Sequence, residues 1–246
     1  MPQQFIDPDF ATSDMDYAGM FERNRVSNPN FSQIVRNRLY DSLLLPTAGQ
    51  NQLRFFAQQI GTGVTTALGA TVGSVKTESD TNLQMANTLP SGVEFVAQSI
   101  EILFFPGSVS TANTYTPANV AFFNTTAALA VMAAANDVNT FYQSGRLHFN
   151  VLNQIYLQEQ PLLAFPPKAQ LDYSGAVATN AAATAELGAQ LLKAGGRPYY
   201  LEPMITLLSA CNFDVTLIWP AAVATGSGFN GRVVCYLDGL LKRAGQ

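Results

Sequence analysis

The sequence predicts an all-β protein in which two antiparallel sheets pack face to face. Along much of the chain, apolar and polar residues alternate over short segments, as expected for strands with one buried face. Short turn sequences separate several of these segments. The 246 residues show no internal repeat, so one large sandwich accounts for them better than two stacked copies of a smaller fold.

Eight strands are predicted, and we name them B to I in chain order. The alternation is clearest in strand H, where four apolar residues from Phe213 to Trp219 share one face. Strands E and I show the same alternation over shorter apolar sets. The predicted ranges are 53–59 for B, 82–89 for C, 93–105 for D, 146–152 for E, 155–165 for F, 202–210 for G, 212–220 for H and 232–241 for I.

Strand D is predicted to contain a β-bulge. Its inward-facing residues occupy odd positions from Val93 to Ala97 and even positions from Ile100 to Phe104. One extra residue in a strand changes the parity of every residue that follows it. We therefore expect the bulge near Gln98 and Ser99.

Three helices are predicted outside the strands. The second helix covers residues 118–136 in the D–E connection, and the third covers about residues 180–193 in the F–G connection, ahead of Gly195 and Gly196. The first helix ends before Pro46. Its apolar stripe recurs at spacings of three and four residues: Phe31, Ile34, Val35, Leu39 and Leu43.

Residues 1–46 are predicted to form an N-terminal arm with this short helix, and residues 47–246 to form the β domain. The first 30 residues combine prolines, isolated aromatic residues and acids without a period, so we expect them to lie against neighbouring subunits. The chain starts without an apolar leader, and its longest apolar run, Ala127–Ala135, is shorter than the roughly 20 residues of a membrane span. We therefore expect neither secretion nor membrane contact.

The connections between the predicted strands favour a jelly roll. C–D, E–F and G–H are short turns, whereas B–C, D–E, F–G and H–I are long. An eight-stranded jelly roll crosses between its two sheets at alternate connections, so it needs this long–short alternation, and a simple meander does not. The expected sheets are B-I-D-G and C-H-E-F, with the second and third helices inserted in the D–E and F–G loops.

The composition predicts a protein that assembles with copies of itself. Apolar residues make up 48% of the chain and charged residues 12%, against about 25% charged residues in average soluble domains. An uncharged surface suits subunit contacts, because burying a charge is costly. The net charge of −4 and the absence of a basic stripe argue against sequence-specific nucleic-acid binding. The candidate interface residues are Phe122, Phe123, Phe31, Ile34, Val35 and Leu39.

No enzymatic site is predicted. His148, the only histidine, alternates with apolar neighbours and is expected on the outward face of its strand, without the second imidazole that many metal sites need. The segment Gly226–Gly231 matches a dinucleotide-binding pattern but leads into a predicted strand instead of a helix. Glu94 and Glu101 could form an acid pair, and scattered solvent-facing carboxylates explain them equally well. No catalytic residue, metal or cofactor is predicted.

The order of the predicted strands and their residue patterns resemble those of jelly-roll coat proteins of icosahedral bacterial viruses. Four segments carry the resemblance, which covers roughly residues 39–243: KTESDTNLQ, LPSGVEFVAQSIEILF, NFDVTLIWP and VVCYLDGLLKR. The resemblance implies a capsid subunit that assembles in the host cytoplasm with itself and with other virion proteins. It implies no catalytic residues.

The alternative is a non-enzymatic binding module, a β-sandwich that recognises a carbohydrate or a receptor. Such modules usually present clusters of exposed tryptophan and tyrosine side chains. This chain has one tryptophan, Trp219, and it is in phase with a core face. The sequence therefore favours the shell subunit over the binding module.

Overall fold

The computed structural model describes residues 32–67, 74–109, 137–165, 169–179, 184–194, 197–225 and 230–244. Helical structure within these ranges is limited to residues 137–144 and a 3-10 turn at Leu162–Ala164. The rest of the regular structure is β. The strands are β1 Ser32–Leu45, β2 Gln50–Phe55, β3 Val93–Val109, β4 Arg146–Val151, β5 Gln154–Pro161, β6 Ala169–Thr179, β7 Thr184–Ala194, β8 Tyr199–Leu207, β9 Phe213–Val223 and β10 Asn230–Ala244.

Two four-stranded antiparallel sheets confirm the predicted all-β class. Sheet 1 has the strand order β1-β10-β3-β8, and sheet 2 has the order β2-β9-β4-β5. Strands β6 and β7 form a separate two-stranded hairpin. Neighbours in the sheets are mostly distant in sequence, so the sandwich depends on long-range pairing.

The hydrophobic core lies between the inward faces of the two sheets. The predicted inward faces are confirmed, because their residues are buried: Phe95, Ala97, Ile100, Ile102 and Phe104 in β3; Leu147, Phe149 and Val151 in β4; Phe213, Val215, Leu217 and Trp219 in β9; Val233, Cys235 and Leu237 in β10. Phe141, in the helical segment, stacks on Phe104 of sheet 1 with 4.5 Å between ring centroids. The indole Nε1 of Trp219 in sheet 2 donates to the Phe141 carbonyl at 2.9 Å. This segment therefore packs against both sheets.

The predicted bulge in strand D is confirmed in β3. The pairing with β10 passes from Ser99–Asp238 to Ala97–Gly239, so Gln98 is the extra residue. At Gly239 an added Cβ would collide with the backbone carbonyl of Val96. The close approach of the two strands beside the bulge therefore requires a glycine on β10.

The first predicted helix is wrong, because residues 32–45 form strand β1. This strand pairs with β10 along its whole length, from Ser32–Ala244 to Leu45–Gly231. Leu39 and Leu43 fit a period of two as well as a helical spacing, and pairing with a distant strand decided between the two. Residues 32–45 therefore belong to the sandwich. Residues 1–31, which include the predicted arm, lie outside the described residues.

The third predicted helix is also wrong over residues 184–194, which form β7. The alanine-rich sequence favours a helix locally, but Gly188 in its middle weakens that preference by about 1 kcal/mol relative to alanine. Pairing with β6, in which Gly188 lies opposite Gly175, overrides the local preference. The second predicted helix, residues 118–136, lies outside the described residues, and the helical residues 137–144 come directly after it.

One of the two early predicted strands is wrong. Predicted strand B corresponds to β2, and predicted strand C, residues 82–89, is part of a long connection that runs from residue 56 to residue 92. The β1–β2 connection is the short segment 46–49. The predicted long–short alternation is therefore wrong at its first two connections. Because β1 was predicted as a helix, β2 received the label of the first strand and residues 82–89 received the label of the second.

Candidate functional site

The predicted interface residues fall into two groups. Phe31, Phe122 and Phe123 lie outside the described residues. In β1, Val35 is 40% exposed, Ile34 is half-buried and Leu39 belongs to the core. Val35 is thus the one of these three that is best placed for a subunit contact, whereas Leu39 stabilises the sandwich itself.

Strand β1 is an edge strand, and residues 81–82 cover the middle of its free edge. The backbone N–H of Tyr40 donates to Asn82 Oδ1 at 3.0 Å, and the backbone N–H of Asn82 donates to the Tyr40 carbonyl at 3.3 Å. Asn82 Nδ2 also donates to the Arg38 carbonyl at 2.7 Å. Because an open strand edge pairs readily with other chains, this cover protects the middle of β1.

Asp41 lies on the inward face of β1 and forms a buried ion pair with Lys76. Its Oδ1 is 2.6 Å from Lys76 Nζ, and the two side chains are 0% and 1% exposed. The backbone N–H of Phe56 donates to Asp41 Oδ2 at 2.7 Å. Burial raises the pKa of Asp41 more than the neighbouring Lys76 lowers it. The pair joins sheet 1 to the 56–92 connection.

Asp80 is a second buried carboxylate, and its hydrogen bonds fix the conformation of the 56–92 connection. It accepts hydrogen bonds at 2.5 to 3.3 Å from the backbone or side chains of Thr65, Thr66 and Thr77. Burial alone would raise the pKa of Asp80, but these hydrogen bonds outweigh it and hold the pKa below its ordinary value of 3.8. Ser42 of β1 donates to the Asp80 carbonyl at 2.9 Å, so the same network is fixed to sheet 1.

Arg38 organises an acidic cluster on the outward face of sheet 1. Its guanidinium donates to both carboxylate oxygens of Asp238, at 2.5 and 2.9 Å, and lies 3.5 Å from Glu101 Oε1. It also lies 4.9 Å from the ring centroid of Tyr236. The hydrogen bond to Asp238 raises the pKa of Arg38. Glu101 is only 4% exposed, so the solvent-facing interpretation of it is wrong, because partners on β1 and β10 enclose it.

A comparable cluster surrounds Asp214 on the outward face of sheet 2. Arg54 donates to its Oδ2 at 3.0 and 2.7 Å, and Asn150 and Thr216 donate to its Oδ1 at 2.7 and 2.9 Å. His148 pairs with Thr216 across the strands and is half-buried on this outward face, as predicted. Within the described residues, His148 Nε2 has no hydrogen-bond partner. Its neighbours supply no arrangement for nucleophilic catalysis.

A cleft of about 510 Å³ lies between β5 and β8, the edge strands on the side of the sandwich opposite β1 and β2. Two tyrosines on its walls, Tyr156 and Tyr200, are 51% and 60% exposed. Arg197 and Glu202 are exposed at the same cleft. Flat aromatic faces beside charged groups can bind a sugar or a peptide.

One end of the sandwich carries exposed apolar side chains. Here the β4–β5 turn, the β8–β9 turn and residues 85–89 are joined by backbone hydrogen bonds, such as Leu152 N–H to the Asn212 carbonyl at 2.7 Å. Met85, Leu152 and Leu208 project from these three segments and are 47%, 61% and 48% exposed. We call Met85, Leu152 and Leu208 the apolar end.

The described ranges contain neither a cluster of metal ligands nor a membrane-spanning helix. In the described ranges, no three His, Cys, Asp or Glu side chains cluster as metal ligands. No helix within those ranges has both the length and the apolar character to cross a membrane. The glycine-rich segment leads into β10, as predicted, although residues 226–229 lie outside the described part of the chain.

The chain matches no family model, and no curated protein or solved structure shows detectable similarity to it. The fold, the composition and the surfaces described above are therefore the features that bear on function. Sequence reasoning missed the buried pair of Asp41 and Lys76. A signal was present, because Asp41 lies between Leu39 and Leu43 at a spacing of two, but it is visible only once β1 is recognised as a strand.

Proposed function

We propose that the chain is a structural virion subunit that assembles with copies of itself into the icosahedral shell of a bacterial virus. The observation that carries the proposal is the strand order. If β1 to β5 are named B to F and β8 to β10 are named G to I, the sheets become B-I-D-G and C-H-E-F. This is the order expected for a jelly roll, with the β6–β7 hairpin inserted between F and G.

Two surface properties support assembly. Charged residues make up 12% of the chain, and the apolar end presents three large side chains to solvent. Exposed apolar clusters in a chain with so few charges are typical of subunit contacts. The proposal also places the protein in the virion with other virion proteins as partners, after assembly in the host cytoplasm, and it requires no cofactor.

Electron microscopy and sedimentation of the purified chain test the proposal. We expect closed shells or discrete oligomers at micromolar concentration. Leu152→Glu should reduce assembly without changing the circular dichroism, because a charge buried in a contact is costly. Gln50→Glu adds the same charge at an exposed position on a different part of the sandwich and serves as the control. A monomer at neutral pH over the whole concentration range would contradict the proposal.

The cleft favours a second function, recognition of a carbohydrate or receptor. The sequence shows no exposed tryptophan cluster, but the fold brings Tyr156 and Tyr200 to the same cleft. A glycan array with the parent chain and the Tyr200→Ala variant tests this function. Binding that the variant loses, by a chain that remains monomeric, would favour the binding module over the shell subunit.

A further inference from the structure

The positions of the Lys76 and Asp41 side chains suit a condensation reaction as well as an ion pair. Lys76 Nζ lies 2.6 Å from Asp41 Oδ1, and both side chains are closed to solvent. Because Oδ1 is bonded to Cγ, the amine nitrogen is a near neighbour of the carbon that it would attack, and bonds form between groups held in such proximity. We propose that the two side chains condense to an isopeptide bond that joins Lys76 Nζ to Asp41 Cγ.

The surroundings favour the neutral form of the Asp41 carboxyl. In a medium of low dielectric, a charged carboxylate is less stable than in water. Asp41 lies opposite Cys235, which is fully buried. Burial also raises the pKa of Asp41, which favours its protonated form. The neutral amine is the nucleophile and the protonated carboxyl is the electrophile.

The reaction needs no reagent other than the two side chains. Nζ attacks Cγ, and negative charge develops on Oδ2, which accepts the backbone N–H of Phe56 at 2.7 Å. This N–H stabilises the tetrahedral intermediate, as a donor in an oxyanion hole does. The bond from Cγ to Oδ1 then breaks, and Oδ1 leaves as water with the carboxyl proton and one amine proton. An amide remains, and no atom is oxidised or reduced.

The bond closes a covalent loop between two positions that are 35 residues apart. The loop contains β2 and the first part of the 56–92 connection. It keeps the connection beside the edge strand β1 even when the hydrogen bonds of Asp80 and Asn82 open. The inference stands on this geometry alone and does not depend on the proposed function.

Mass spectrometry of the full chain under denaturing and reducing conditions tests the inference. We expect the folded parent protein to be lighter than its sequence requires by one molecule of water. A protease digest should contain one branched peptide that joins the segments of residues 41 and 76. The Lys76→Arg variant keeps the charge but lacks the nucleophilic amine, so it should have the full sequence mass, and so should Asp41→Ala.

The exposed pair of Lys242 and Glu94, 3.4 Å apart, is the internal control and should yield no branched peptide. A folded parent protein that keeps its full mass after long incubation at neutral pH overturns the inference. Loss of water located at any other residue overturns it as well. If Lys76→Arg does not fold, the branched peptide of the parent protein decides the question without it.

Discussion

Two lysine–carboxylate pairs, each with at least one residue in sheet 1, combine the same chemical groups in different surroundings. Lys76 and Asp41 are 1% and 0% exposed, whereas Lys242 and Glu94 are 30% and 40% exposed. Water solvates the second pair whether or not the ions meet, so the pair adds little to stability. The first pair has no such alternative, because each buried group depends on its partner, as an ion pair or through the proposed bond. Burial, more than residue type, therefore decides what an ion pair contributes.

The largest effect is expected when the buried pair is broken. Asp41→Ala leaves the Lys76 side chain enclosed without its partner, whether Asp41 holds it as a counter-ion or through the proposed bond, and we expect the free energy of unfolding to fall by about 3–5 kcal/mol. Urea unfolding followed by circular dichroism measures the loss. The double variant Asp41→Leu, Lys76→Met removes both charges and should recover much of it. A loss below that of an ordinary surface substitution would show that the pair is solvated after all.

A smaller effect is expected at Asp80, which is buried but bound mainly by hydroxyl and amide donors. Asp80→Asn replaces a charged acceptor, so near neutral pH we expect a loss of about 1.5–3 kcal/mol. The folded-state pKa of Asp80 is lowered, so its contribution is complete above pH 3.8 and is lost as the pH falls through the folded-state value. At acid pH, the free energies of unfolding of the parent protein and the variant should therefore become equal. A difference that does not change with pH would contradict this account.

The smallest effect is expected at the exposed pair. Glu94→Gln keeps the shape of the side chain and removes its charge, and the free energy of unfolding should change by less than about 0.5 kcal/mol. The same urea titration measures this change, and high salt should reduce it further. If Glu94→Gln and Asp41→Ala destabilised the chain equally, burial would not be the deciding variable.

The strands with alternating sequences were predictable, because alternation along one strand is enough to assign each residue to one of its two faces. Phe213 to Trp219 alternate in the sequence, and the same alternation separates the core residues of β9 from Asp214 and Thr216 on its outward face. The bulge in β3 was predictable for the same reason, because a change of parity is visible along one strand. The position of His148 on an outward face follows from its apolar neighbours.

The first strand and the candidate site were not predictable in this way. Residues 32–45 carry a pattern that fits a helix and a strand, and pairing with β10 decided between them. The Asp41–Lys76 pair then depends on the 56–92 connection folding back over that strand. Arg38, Asp238 and Glu101 likewise meet because three strands that are far apart in sequence are adjacent in sheet 1.

By itself, the sequence determined the all-β class, the inward faces of β3, β4, β9 and β10, and the low charge of the surface, because alternation and composition are local properties. The tertiary structure alone decided that β1 is a strand and that Gly188 lies in a hairpin. It also decided that a lysine and an aspartate 35 residues apart share a site that is closed to solvent. These features depend on which segments become neighbours, and that depends on the packing of the whole chain.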